Sequence, residues 1–280
     1  MDWSALEHQI KDEIRNLGGA YVWTDVALQG NYHIQRNVNT GRYRLLDGDR
    51  RRLLLGSYDA CKQKLDELNA SFESDHLVLL IHGLGRHAGI MDKPKNPLRK
   101  AGFAAHSLNY ATLLEGVTDH AEHFIHLLEN LKGIKRVSFV THSLGGLVAR
   151  EILSRSLVWN GVTAHKIVMM ATPNKGAQIA EFLSRMKTYH FISGPSGQDV
   201  RPTQALKELA EPKIPTLIIA GGLGNDIGFN PLLLGDNDGI VTVAETRLDT
   251  PHEFKLVKII HTTIMDHKDS IKATLEFLSS

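Results

Sequence analysis

Ser143 sits in the run Val137-Ser138-Phe139-Val140-Thr141-His142-Ser143-Leu144-Gly145-Gly146. A short apolar stretch, 137–140, leads directly into that serine, and a helix-like stretch, 145–156, follows it. A hydroxyl at such a strand-to-helix corner can act as a nucleophile, because the free N–H groups of the helix start face the same space. A corner this tight calls for small residues two positions to either side, and the recurring pattern is Gly-x-Ser-x-Gly. Gly145 fits the pattern. Thr141 stands where the first glycine is usual, and its bulk predicts a slightly opened corner. The competing reading of Ser143 is a helix cap without chemistry.

A serine hydroxyl is a weak nucleophile until a base takes its proton, and the base needs an acid to orient it. Asp238 lies in Gly235-Asp236-Asn237-Asp238-Gly239-Ile240-Val241, a turn that follows the apolar run 216–220. Asp236 and Asp226 are its rivals. His261 closes the apolar run 254–260 and precedes the last helix-like stretch. His252 comes before that run, at the wrong end of a strand, and His267 reads as a surface residue near the final helix. With 15 histidines in the chain, the ordered set of Ser143, Asp238 and His261 carries more weight than any one position. Acyl transfer also needs donors for a developing oxyanion. The apolar run 77–81 ends in His82-Gly83-Leu84-Gly85-Arg86, where glycine lets backbone approach a ligand. The backbone N–H groups of Leu84 and Leu144 are the expected pair of donors, and His82 is expected to brace the loop.

These residues need a frame. The run 77–81 is short and wholly apolar, and 137–140, 167–170, 216–220 and 254–260 are short and mainly apolar, as suits strands covered on both faces. Helix-like stretches separate them, at about 93–101, 118–132, 145–156, 176–187, 203–210 and 268–278. Alternation of this kind predicts an α/β fold with a mostly parallel central sheet and helices on both faces. Ligand sites in such sheets lie beyond the C-terminal strand ends, which is where Ser143, Asp238 and His261 fall.

Before residue 76 the rhythm differs. Residues 4–16 have helical spacing, 21–38 alternate loosely, and 43–46 and 52–55 read as short strands around Asp47-Gly48-Asp49. A helix is expected over 57–68. The division is therefore 1–75, a small N-terminal α+β accessory module of antiparallel strands and helices, and 76–280, the catalytic domain. Two segments could border a substrate. One is 182–202, where Phe182, Met186, Tyr189, Phe191 and Ile192 precede a glycine/proline loop and could form a wall or partial lid. The other is the long glycine-rich, apolar stretch 223–234.

Composition narrows the classes. The 280 residues are 42% hydrophobic and 22% charged, with a net charge of +1, so nothing favours nucleic acid as a partner. Arg50-Arg51-Arg52 reads as a solvated strand end or turn. The lone Cys61 excludes an intramolecular disulfide and reads as a helix residue. No apolar run reaches the ~18 residues of a membrane span, and Met1-Asp2-Trp3-Ser4 opens no leader pattern. The expectation is a soluble, cytoplasmic protein.

The segments His82-Gly83-Leu84-Gly85, Thr141-His142-Ser143-Leu144-Gly145-Gly146, Ala171-Thr172-Pro173-Asn174-Lys175-Gly176, Asn237-Asp238-Gly239-Ile240-Val241 and His261-Thr262-Thr263-Ile264-Met265 run in this order. Together they make residues 76–280 resemble the α/β-hydrolase superfamily, and within it small bacterial lipases and esterases. The resemblance implies a Ser143–Asp238–His261 triad in the order serine, acid, histidine. It also implies an acyl-enzyme on Ser143 and no metal or organic cofactor. The expected substrate is a small ester or lipid-like molecule. The alternatives are a thioesterase, amidase or acyltransferase on the same triad, or a silent hydrolase fold used for binding.

Overall fold

The computed structural model describes residues 20–184 and 194–280, and the side chains of residues 182–184 are not described. The helix expected over 4–16 and the wall residues Phe182, Met186, Tyr189, Phe191 and Ile192 fall outside the described residues or side chains. Two sheets carry the fold. The first is an antiparallel meander of β1 (Trp23–Gln29), β2 (Tyr32–Asn37), β3 (Tyr43–Leu46) and β4 (Arg52–Gly56). Helix α1 (Tyr58–Glu67) follows, capped by the Ser57 hydroxyl, which accepts from the Ala60 N–H at 3.2 Å. It buries Cys61 and Leu65 against Ile34 and Leu45. Burial raises the Cys61 thiol above its usual range, which suits a packing role. In the turn before β4, Arg50 pairs with Asp92 through two hydrogen bonds of 2.7 and 2.6 Å.

The second sheet has seven strands. Its main path runs β11 (Glu253–Val257), β10 (Thr216–Gly221), β9 (Val162–Met170), β7 (Arg136–His142), β5 (His76–Ile81), β6 (Ala104–Leu108). Every pair on that path is parallel, and the short β8 (Val158–Trp159) pairs antiparallel with β9. Strand side chains alternate between the faces. Leu77, Leu79 and Ile81 therefore join Phe139 and Met169 beneath α3 (Val117–Glu129) and α4 (Leu144–Arg155). Val78 and Leu80 join Val140 and Met170 on the other face, against α2 (Asp92–Lys100) and α8 (Lys268–Ser279). Between β9 and α8 lie the shorter helices α5 (Gln178–Ser184), α6 (Gln204–Glu208) and α7 (Val243–Thr246).

The sheets are stitched together. The Asn109 side-chain amide donates to the carbonyls of Ala20 and Trp23, both at 2.6 Å, while its own N–H meets the buried Asp25 carboxylate at 2.6 Å. The Asp25 N–H returns a bond to Asn109 O at 2.8 Å. Leu28 of β1 enters the main core. Among the described residues no helix is long and apolar enough to cross a membrane.

Candidate active site

β7 ends at His142, and Ser143 then takes φ 53°, ψ −123° before α4 begins. A non-glycine residue there costs roughly 1–3 kcal/mol, so its neighbours must hold it. The Ser143 N–H donates to Met170 O at 2.9 Å, and the Gly146 N–H donates to Ser143 O at 3.0 Å. Gly145 lies against β5, where a Cβ would come within 2.7 Å of His82 O. Gly146 lies against the Thr172 side chain, with no room for a Cβ either. Thr141 lies within unbroken strand pairing. Its pairing with Ile81 and Met169 is regular, and its buried hydroxyl donates to Val168 O at 3.1 Å.

Two loops bring the other sequence-chosen groups to this corner. Asp238 is buried in the turn before α7, and His261 opens a 3₁₀ helix, His261–Asp266. His261 Nε2 stands 3.0 Å from Ser143 Oγ, and its Nδ1 stands 2.7 Å from Asp238 Oδ2. The other carboxylate oxygen, Oδ1, accepts from the N–H groups of Ile240 and Val241 at 3.0 and 2.8 Å. A backbone bond from His261 N to Asp238 O, 2.9 Å, joins the two loops. The structure leaves the rivals elsewhere. Asp236 accepts from the N–H groups of Leu223 and Gly224, and Asp226 is exposed. His252 bonds Thr250 O at the far end of β11, and His267 caps α8 by accepting from Asp269 N.

The neighbouring imidazoles are neutral. His82 is fully buried, stacked on Tyr110 with centroids 4.3 Å apart, and hydrogen-bonded to Gly83 O. Burial pushes its pKa down to about 3. His142 is held well below the usual histidine range by burial and by His261. Its Nε2–H donates to the His261 carbonyl at 3.0 Å, and its ring backs the same pocket. The N–H groups of Leu84 and Leu144 have no acceptor among the described residues. A cavity of about 220 Å³ opens at Ser143, walled chiefly by Leu84, Pro173, Ile179, Val200, Ile240 and Val241.

No family's sequence model matches the chain, and no curated protein does. Solved structures do. The mature lipase BlEst2 of Bacillus licheniformis superposes with a TM-score of 0.58 at 18% identity, over 72% of this chain and 91% of that one. A phospholipase, PlaB, from Legionella pneumophila gives 0.56 at 15%, over 73% and 60%. A metagenomic carboxyl esterase gives 0.51 at 15%, over 73% and 74%. The chain has the α/β-hydrolase fold. Ser143, Asp238 and His261 lie in the segments that follow β7, β10 and β11, beyond the C-terminal ends of those strands.

Sequence reasoning missed the bond from His142 to His261, because nothing in a linear pattern links residues 119 positions apart. It missed Arg86, which lines the pocket and is unpaired among the described residues. It also missed Ile240 as part of the pocket wall, although the residue lies within a segment that carried the resemblance. β11 ends at Val257, three residues before the expected boundary, because Ile259 N turns back to Val257 O. His261 therefore sits on a short irregular link and a 3₁₀ turn, not directly on a strand end.

Proposed function

We propose that this protein is a serine hydrolase of carboxylic esters, acting by two-step acyl transfer. The observation that carries the reading is the unbroken relay from Ser143 Oγ through His261 to Asp238 Oδ2, at the floor of a largely apolar pocket. Ser143 Oγ attacks the ester carbonyl carbon while His261 Nε2 accepts its proton. The carbonyl oxygen becomes an oxyanion, and the N–H groups of Leu84 and Leu144 receive it. The tetrahedral carbon expels the alkoxide, and His261 returns the proton to it, so an alcohol leaves. Water repeats the sequence on the acyl-enzyme and releases a carboxylic acid. Asp238 fixes the imidazole tautomer, with Nδ1–H toward the carboxylate, and stabilises the imidazolium. The Ile240 and Val241 N–H groups fix the carboxylate in turn. This chemistry needs no cofactor.

The names of the similar structures support hydrolysis of an ester bond. We read residues 76–280 as the catalytic domain and residues 1–75 as an accessory module. The clasp of Asn109 on β1 supports a bracing role for the latter. A fluorophosphonate probe with peptide mapping tests the site without a guess at substrate. The expected result is a label on Ser143 that is lost in His261→Ala and kept in His267→Ala. A folded protein that takes no label would refute the reading.

A further inference from the structure

The glycine-rich loop between β10 and α7 holds apolar side chains out in water. Leu232 is 88% exposed and Leu234 83%, and Ile227 is also exposed. Residues 227–235 contain no charged residue. A loop free to relax would turn such groups inward, since each exposed leucine forgoes a favourable burial. This loop is not free. Asn237 is fully buried, and its amide donates to the carbonyls of Ile227, Asn230 and Gly235 at 2.8, 3.1 and 2.9 Å. Its side-chain oxygen accepts from the N–H groups of Asn230 and Gly239. The Asp236 carboxylate grips the foot of the loop at Leu223 and Gly224, and Asn225 caps Ile227 and Gly228. Leu233 points inward and is buried, so the frame turns Leu232 and Leu234 outward on either side of it.

The tip adjoins the pocket. Asn230 Nδ2 donates to Gly239 O at 3.1 Å, and the next residue, Ile240, is both exposed and part of the pocket wall. Two cations without ion-pair partners among the described residues stand at the pocket and at the foot of the loop: Arg86 at the first, and Lys258, packed beside Gly224, at the second. Asp226 is the exposed acid of the loop. We propose that residues 227–234 dock the protein on an anionic lipid surface, with Leu232 and Leu234 entering the acyl layer and the pocket mouth turned toward it. An exposed apolar tip of a few side chains suits penetration of the ~5–10 Å boundary between headgroups and acyl chains. Cations beside an apolar tip match a surface carrying anionic headgroups. The substrate class that follows is a lipid ester drawn from that surface, and this step rests on the ester-hydrolase reading above. The docking itself does not.

Cosedimentation of the full chain with vesicles tests it, using phosphatidylcholine alone and phosphatidylcholine with phosphatidylglycerol at about four to one. The chain is expected to bind the mixed vesicles more tightly. The double variant L232S/L234S should bind at least ~10-fold more weakly with its melting temperature kept, and K258Q should narrow the difference between the two vesicles. No binding to either vesicle, or a double variant that binds like its parent, overturns the proposal. Concentration-dependent dimers lost in L232S/L234S would assign the tip to a second copy and overturn it too. Fluorophosphonate labelling is read separately. A labelled protein that ignores vesicles sinks the docking alone, and a vesicle-bound protein that takes no label sinks the hydrolase reading alone.

Discussion

Replacing Gly145 by alanine tests whether the corner at Ser143 is as tight as the packing implies. The new Cβ would lie 2.7 Å from His82 O and 2.9 Å from the Ile81 carbonyl carbon, and closer still to Ile81 O. Ordinary contact begins at 3.4 Å, so more than half an ångström must be found. All three neighbours are backbone atoms of β5 and the residue after it, and none can rotate aside. Overpacking of this kind costs about 1–3 kcal/mol of stability. The displaced carbonyls belong to the strand end that leads into Leu84, while the alanine sits one residue past Leu144. The shift therefore spreads the two N–H groups relative to Ser143. Misplacement of reacting groups by a fraction of an ångström to an ångström costs about 10- to 100-fold. Thermal unfolding and the rate of fluorophosphonate labelling would be measured together on Gly145→Ala and the parent. The expectation is a lower melting temperature and labelling slowed by one to two orders of magnitude. Parental values for both would refute the packing described for the corner.

Asp238→Asn should keep the fold and lower kcat by on the order of 10⁴. The amide oxygen takes the place of Oδ1, which accepts two N–H groups, so the NH₂ faces His261 Nδ1. The ring must then carry its proton on Nε2 and cannot take one from Ser143; kcat near the parental value would refute this. Acid should unfold the protein through buried histidines. His120, fully buried between Glu115, Asp119, His123 and Ser196, has its pKa pushed down from 6.5 to about 4, chiefly by burial. The unfolded state then binds the extra proton first, so stability is complete above pH 6.5 and falls as the pH drops toward 4, by about 3 kcal/mol for this group. Urea unfolding from pH 7 to 4 should show that slope, shallower in His120→Gln; equal slopes would remove His120 from the account.

The strands that were legible in the sequence were those with unbroken apolar runs. Leu77 to Ile81 and Thr216 to Ala220 have little choice but to lie between two helical layers, and they do. β6 was not legible. Its residues are Ala104-Ala105-His106-Ser107-Leu108, which read as polar-interrupted, yet all five are buried. His106 is covered by aromatic neighbours, His33 of β2 and Phe72, both distant in sequence. The parallel α/β architecture followed from alternation alone. Their places after strands marked Ser143, Asp238 and His261, the family resemblance ranked Asp238 above Asp236 and Asp226, and the structure brings the three together. Their second layer was invisible, since the clamps on Asp238 and His261 are backbone N–H and carbonyl groups that every residue type carries. The exposed tip at Leu232 and Leu234 was not legible either. The stretch 223–234 reads as a border of the substrate site, and the outward turn of Leu232 and Leu234 is set by the Asn237 frame, which no linear pattern shows.

The Asn109 clasp bears on the order in which the chain assembles. Every strand of the first sheet pairs with its neighbour in sequence, so its ladders close over short loops. Local contacts of this kind form quickly. A nascent chain can complete that meander before β5 leaves the ribosome. Its seat does not exist until residue 109 has emerged and β6 has found β5. Until then the Asp25 carboxylate has His33 and the charge of Arg44 beside it, and the carbonyls of Ala20 and Trp23 lack the Asn109 amide. The early sheet therefore persists with one flank wet until the edge strand β6 of the central sheet is in place.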